Sequence, residues 1–178
     1  MSSLPSISYP FADLPAPGTT LPVAPGVSWL RMPLPFALDH INLWLLEDGD
    51  ALVPVDSGYG TEETRRHWES ILAAAGRPLS RVVVTHCHPD HLGLATWLAA
   101  RDGVPILMTQ GEFLGGHALW HQIPGYCVED MVPQFRRHGL DEARLEALSR
   151  RGNAYRRGVP ELPSSHQRVF AGDRIAIG

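Results

Sequence analysis

The sequence predicts an α/β fold, a mixed β-sheet with helices packed on one face. Three observations carry that expectation. Short apolar strand-like runs alternate with amphipathic helical patterns. An Asp-Gly turn joins two of the first strands as a meander. A cluster of potential metal ligands follows directly on an apolar run, where a buried strand delivers its loop.

In chain order, residues 1–26 hold Pro5, Pro10, Pro15, Pro17, Pro22 and Pro25 with Gly18, and read as an extended Pro-rich arm. Residues 27–178 form one domain, its core large enough at this length to bury about 68 to 70% of the unfolded surface. Val27 starts a strand running through Trp29 toward Met32. Ile41–Leu46 is the next strand, and Glu47-Asp48-Gly49-Asp50 turns the chain into Ala51–Val55. Thr61 caps a helix with Glu62 and Glu63 in its first turn, and Trp68, Ile71, Leu72 and Ala75 share one face before Gly76 and Pro78 end it. A strand at 81–85 leads to the ligand loop, then to an apolar helix near Leu92–Ala100 and a strand at Val104–Met108. Residues 110–160 read as a helical insertion or cap, including a helix from the N-cap Asp141 to Arg151, whose arginines suit the helix C-terminus. Val169–Phe170 and Ile175–Ile177 flank a turn at 171–174 and predict a closing hairpin.

Thr85-His86-Cys87-His88-Pro89-Asp90-His91-Leu92-Gly93 places four potential ligands in six positions. Alternate residues at a strand end project to one side, so His86 and His88 can grip one ion while Asp90 and His91 face a neighbouring position. Imidazole and carboxylate suit zinc, iron or manganese. The same alternation turns Cys87 away into packing.

This motif resembles the HxHxDH signature of the metallo-β-lactamase superfamily, and Ala51–Val55 delivering Asp56-Ser57-Gly58 resembles that family's strand ending in Asp. The resemblance is close over Val27–Met108 and loose beyond. It implies the first half of an αββα sandwich, with His86, His88, Asp90 and His91 as ligands of one or two zinc ions, or of iron or manganese. Relatives take a further His from a Pro-Gly-His element after a hairpin like 169–177. His117, His121, His138 and His166 do not stand in such an element, so the resemblance implies the N-terminal half of a longer protein.

Hydrolysis of an ester, thioester, amide or related bond by a metal-activated water follows, with Asp90 orienting the water and taking its proton. Asp56 is expected to stand behind the ligands, accepting from a ligand His or backbone amides, or else to cap an Asx-turn. His40, in the turn before a strand, is a candidate substrate contact. A non-catalytic scaffold of the same fold and a mononuclear-iron sulfur dioxygenase are the alternatives.

The net charge of −4 and the absence of a basic-aromatic stripe argue against a nucleic-acid partner, which leaves a small-molecule substrate. The sequence contains no lysine, which excludes Schiff-base chemistry. No run approaches the ~18 apolar residues of a membrane span, so a cytoplasmic protein is expected, with Cys87 and Cys127 reduced. An isolated half would expose an apolar sheet face and self-associate as a homo-oligomer.

Overall fold

A computed structural model describes residues 7–178, so the first six residues of the predicted arm lie outside the described residues. Seven strands form one sheet in sequence order: β1 (Leu21–Ala24), β2 (Val27–Pro33), β3 (His40–Asp48), β4 (Ala51–Val55), β5 (Val82–Val83), β6 (Ile106–Thr109) and β7 (Gln167–Val169). The first four pair antiparallel and the rest parallel. Tight turns suffice for the meander, whereas each parallel step needs a helical crossover. Those crossovers are α1 (Glu62–Ala75), then α2 (Pro89–Leu92) with α3 (Ala95–Asp102), and finally α4 (Gln110–His121), α5 (Val128–Arg137), α6 (Glu142–Arg150) and α7 (Ala154–Gly158).

The core lies between one sheet face and the helices. Leu30, Met32, Leu43, Leu52, Val82 and Met108 of the sheet meet Trp68, Leu72 and Leu98, all 4% exposed or less. The other face carries Trp29 and Trp44 side by side, with Trp44 39% exposed.

Three expectations are corrected. Leu21–Ala24 belongs to the sheet rather than to an arm, and Pro22 is tolerated there because β1 is an edge strand with a ladder on one side only. The helix expected at Leu92–Ala100 is divided between α2 and α3, because the Leu94 amide donates to Ser57 Oγ at 3.0 Å instead of continuing the helical ladder. The C-terminal hairpin does not form. Phe170 and Asp173 close the turn, but β7 pairs with β6, and Arg81 and Asp48 engage Ala176 O and the Gly178 amide of the tail.

Candidate metal and substrate site

The end of β4 and the loop after β5 are laced together before any ligand is considered. The Asp56 amide donates to Val83 O at 2.7 Å, and the Ser57 amide and hydroxyl both donate to His91 O, at 2.9 and 2.7 Å. Trp68 of α1 donates its indole N–H to Ser57 O at 2.7 Å. Asp56 itself has φ of 65°, a left-handed conformation that costs a non-glycine residue free energy and persists only where surroundings enforce it.

What enforces it is a set of three hydrogen bonds. The Asp56 carboxylate accepts from the Thr85 amide at 2.7 Å, the Thr85 hydroxyl at 2.7 Å and His91 Nδ1 at 2.8 Å. Because the carboxylate only accepts, His91 carries its proton on Nδ1 and presents Nε2 as a lone pair. Thr85 has given its one proton to Asp56, so its oxygen accepts from His86 Nδ1, 3.0 Å away. His86 therefore also presents Nε2. One carboxylate sets two imidazole tautomers, the second through a threonine.

The presented atoms fall into two pairs. His86 Nε2 and His88 Nδ1 stand 3.0 Å apart, and His91 Nε2 and Asp90 Oδ2 stand 3.6 Å apart. Two ligands of one tetrahedral zinc, each about 2.0 to 2.1 Å from it, stand roughly 3.3 Å apart, so either pair suits a shared cation. The His86 and His91 rings lie 3.9 Å apart, which sets the pairs side by side. Among the described residues no group of three or more His, Cys, Asp or Glu side chains forms a finished cage. Burial, reinforced by the neighbouring His91 and His88, holds the His86 pKa below its ordinary value, which keeps the ring neutral and able to bind metal. Burial opposes the charged form of His91 as well, but the bond to Asp56 and the nearby Asp90 outweigh it and raise its pKa.

The far side of the loop is held by the helical segment. Glu112 of α4 accepts the Cys87 amide at 2.7 Å, and Tyr155 of α7 donates its hydroxyl to Cys87 O at 2.5 Å. Burial, then Glu112, pushes the Cys87 thiol up to about 12, so a neutral thiol packs between the two histidines' backbones and α4. Glu112 and Tyr155 were not foreseen. Their contacts span 25 and 68 residues, and no local pattern marks them.

Asp90 lines a recess of about 700 Å³ together with Phe36, Tyr59, Tyr155, Arg151 and Arg157, a volume suited to a small ligand. His40 is not brought to that recess. Its Nδ1 lies 2.6 Å from Asp39, and it lines a separate, smaller hollow with Arg31, Glu63 and His67. Arg151, read from the sequence as a helix-terminal charge, is the C-cap of α6 and also lines the recess. The only signal that could have found it is the doublet spacing Arg150-Arg151 and Arg156-Arg157 around Tyr155.

Comparison with known proteins agrees with this architecture. The profile of the metallo-beta-lactamase superfamily matches residues 37–172, and the chain belongs to that superfamily. A beta-lactamase domain protein from Burkholderia ambifaria superposes with a TM-score of 0.80 at 44% identity, covering 96% of this chain and 50% of that one. A metallo-beta-lactamase family protein from Thermus thermophilus, TTHA1429, gives 0.68 at 26% identity, covering 88% and 50%. The hydroxyacylglutathione hydrolase of Cupriavidus metallidurans is 28% identical over 150 residues, 80% of this chain and 52% of that protein. The probable metallo-hydrolase YqjP of Bacillus subtilis is 43% identical over 68 residues, 36% of this chain and 21% of that protein. The chain thus spans about half the length, or less, of these relatives. No helix among the described residues is long and apolar enough to cross a membrane.

Proposed function

We propose that this chain carries the metal-binding half of a hydrolase that uses a metal-activated water on an ester, thioester, amide or related bond of a small molecule. The single observation behind the reading is the pair of facing donor sets, His86 with His88 and Asp90 with His91, with the tautomers of His86 and His91 set from behind by Asp56. Hydrolase-named relatives support the same direction.

The donors fit zinc, with iron or manganese compatible with the same imidazole and carboxylate chemistry. His86 and His88 would hold one ion, and Asp90 and His91 would contribute to a second. When bound, such an ion lowers the pKa of a water toward ~7 and stabilises oxyanion charge. The residues of this chain do the rest. Asp56 keeps His91 and, through Thr85, His86 from turning away. Asp90, 26% exposed and facing the recess, has an acceptor oxygen to orient a water and take its proton. Phe36 and Tyr59, edge to face with ring centroids 5.3 Å apart, form an apolar wall that orients a substrate beside it.

The test is metal content per chain by elemental mass spectrometry, run beside hydrolysis of a neutral acyl thioester. With the other half of the hydrolase present, the wild-type sequence is expected to hold metal and to hydrolyse, and the His86→Ala/His88→Ala variant to lose both. Metal retained in full by that variant, or iron bound with oxygen uptake and no hydrolysis, would reject the reading.

A further inference from the structure

Resting on the hydrolase reading, we propose that the recess beside Asp90 selects substrates bearing a carboxylate or phosphate, which Arg151 and Arg157 hold at the end of a small apolar body. Most arginines of this chain are already committed. Arg65, Arg77, Arg81, Arg101, Arg136, Arg144 and Arg150 each face a carboxylate within ion-pair distance. Arg156 lies 3.8 Å over the Trp120 ring and donates to Trp120 O at 2.9 Å.

Arg151 and Arg157 differ from these. Neither has an ion-pair partner among the described residues, and both line the recess. Both terminal nitrogens of Arg157 lie 3.4 Å from Arg151 O, which sets the two residues side by side. Arg157 donates only to a neutral carbonyl, so neither guanidinium has an anionic counter-charge, and an anion in the recess supplies one. Planar guanidinium also matches the oxygen pairs of carboxylate and phosphate.

The remaining walls define the rest of the ligand. Phe36 is 50% exposed and Tyr59 is 7% exposed, so an apolar surface stands open to the recess on a well-anchored support. Asp90 is the only acidic residue of the lining, and its carboxylate faces His91 at 3.6 Å. The recess therefore combines a carboxylate beside His91, an apolar wall and two cations. An acyl ester or thioester with a terminal anion gives both guanidinium groups a counter-charge, whereas a neutral one does not.

The test compares phenylacetate and phenyl phosphate with neutral benzyl alcohol, each titrated into the protein and followed calorimetrically. An anionic probe is expected to bind at least about tenfold tighter than benzyl alcohol, one charge-assisted contact being equivalent to roughly a factor of ten. Whichever anion binds tighter identifies the group. Arg151→Gln/Arg157→Gln is expected to remove that advantage, each single variant part of it. Arg150→Gln, whose neighbour Glu146 already pairs it on the exposed side, is expected to leave it intact. Anion binding is also expected to survive His86→Ala/His88→Ala, which separates this cleft from direct binding to a metal. Equal binding of neutral and anionic probes, or an anion advantage untouched in the double arginine variant, overturns the proposal. Loss of thioester hydrolysis with anion binding retained counts against neither arginine; failure of wild type to hydrolyse counts against the hydrolase reading alone.

Discussion

Gly93 ends α2 at a point where three segments cross, and substituting Ala there tests how the site is held together. A Cβ at this position would lie 2.3 Å from Gly58 O, 2.5 Å from Gly158 O and 2.5 Å from Pro89 O. All three are backbone atoms, so no side chain can swing aside. Relief requires moving the Asp56–Gly58 segment, the loop at Pro89–His91, or α7. Each is tied elsewhere: Gly158 O accepts from the Gly60 amide at 2.8 Å, and His91 O from Ser57. Overpacking of this kind costs about 1 to 3 kcal/mol, and more where backbone must shift. With three clashes at once we expect about 3 kcal/mol or more for Gly93→Ala, roughly a 6 to 12 °C drop in melting temperature for a chain of this length. Two controls bracket it. Gly103 has φ of 68° but nothing within 4 Å of a Cβ, so Gly103→Ala carries only left-handed strain of about 1 to 2 kcal/mol. Gly111, inside α4 with open space around it, should become more stable as Ala by up to about 1 kcal/mol. Thermal unfolding followed by circular dichroism gives the three values. A Gly93→Ala protein that melts with Gly103→Ala, or above it, would refute the crossing as a rigid junction.

Other outcomes follow from the hydrogen bonds. Asp56→Asn preserves shape and tolerates the left-handed backbone, but presents a donor where His91 or Thr85 needs an acceptor; metal affinity by chelator competition should fall about 10- to 100-fold with the fold intact. At pH 8 iodoacetamide should label Cys127 well ahead of Cys87, whose pKa of about 12 leaves roughly one thiolate in ten thousand; Cys87 labelling matching that of Cys127 would contradict the packing described. The Glu112 carboxylate is held below its usual 4.5 first by the Cys87 amide, with burial opposing. Its stabilising contribution is therefore complete above that ordinary value and is lost as pH falls through the lower folded one. Glu112→Gln should flatten the acid limb of a stability–pH curve, and an unchanged limb would discount the contact. Tyr155→Phe should cost about 1 kcal/mol in urea unfolding by leaving Cys87 O without its donor.

What could be read from the sequence was what is local. The meander, the cap at Thr61 and the left-handed Gly76 all lie within a few residues of the pattern that announces them. The ligand loop was legible because its donors lie within six positions, although β5 ends at Val83 and the loop itself, rather than strand alternation, brings His86 and His88 together. The split of the helix at Leu94 was not, because the competitor for its amide is a serine 37 residues earlier. The missing hairpin has a similar origin: turn residues at 171–174 are present, but the pairing partner of β7 is β6, across the whole helical segment. Arg151 and Arg157 follow the same rule. Each lies in sequence beside a paired or stacked arginine of identical type, and only the fold separates those that face the recess from those that do not.

The helical segment 110–160 is consequently more than a cover. Through Glu112 and Tyr155 it grips the backbone of the one residue between His86 and His88, while Asp56 and Thr85 grip the same loop from the sheet side. The same segment carries Arg151 and Arg157 in the lining of the recess, and its Gly158 occupies the crossing with Gly93. The His86–His91 loop and the two arginines lining the recess are thus anchored to one body. A substitution that shifts α7 moves Tyr155, Arg157 and Gly158 together, so it disturbs the ligand loop and the recess at once. Substitutions confined to the outward side of α6, such as at Arg150, leave both unmoved. The placement of α7 cannot change without the His86–His91 loop following.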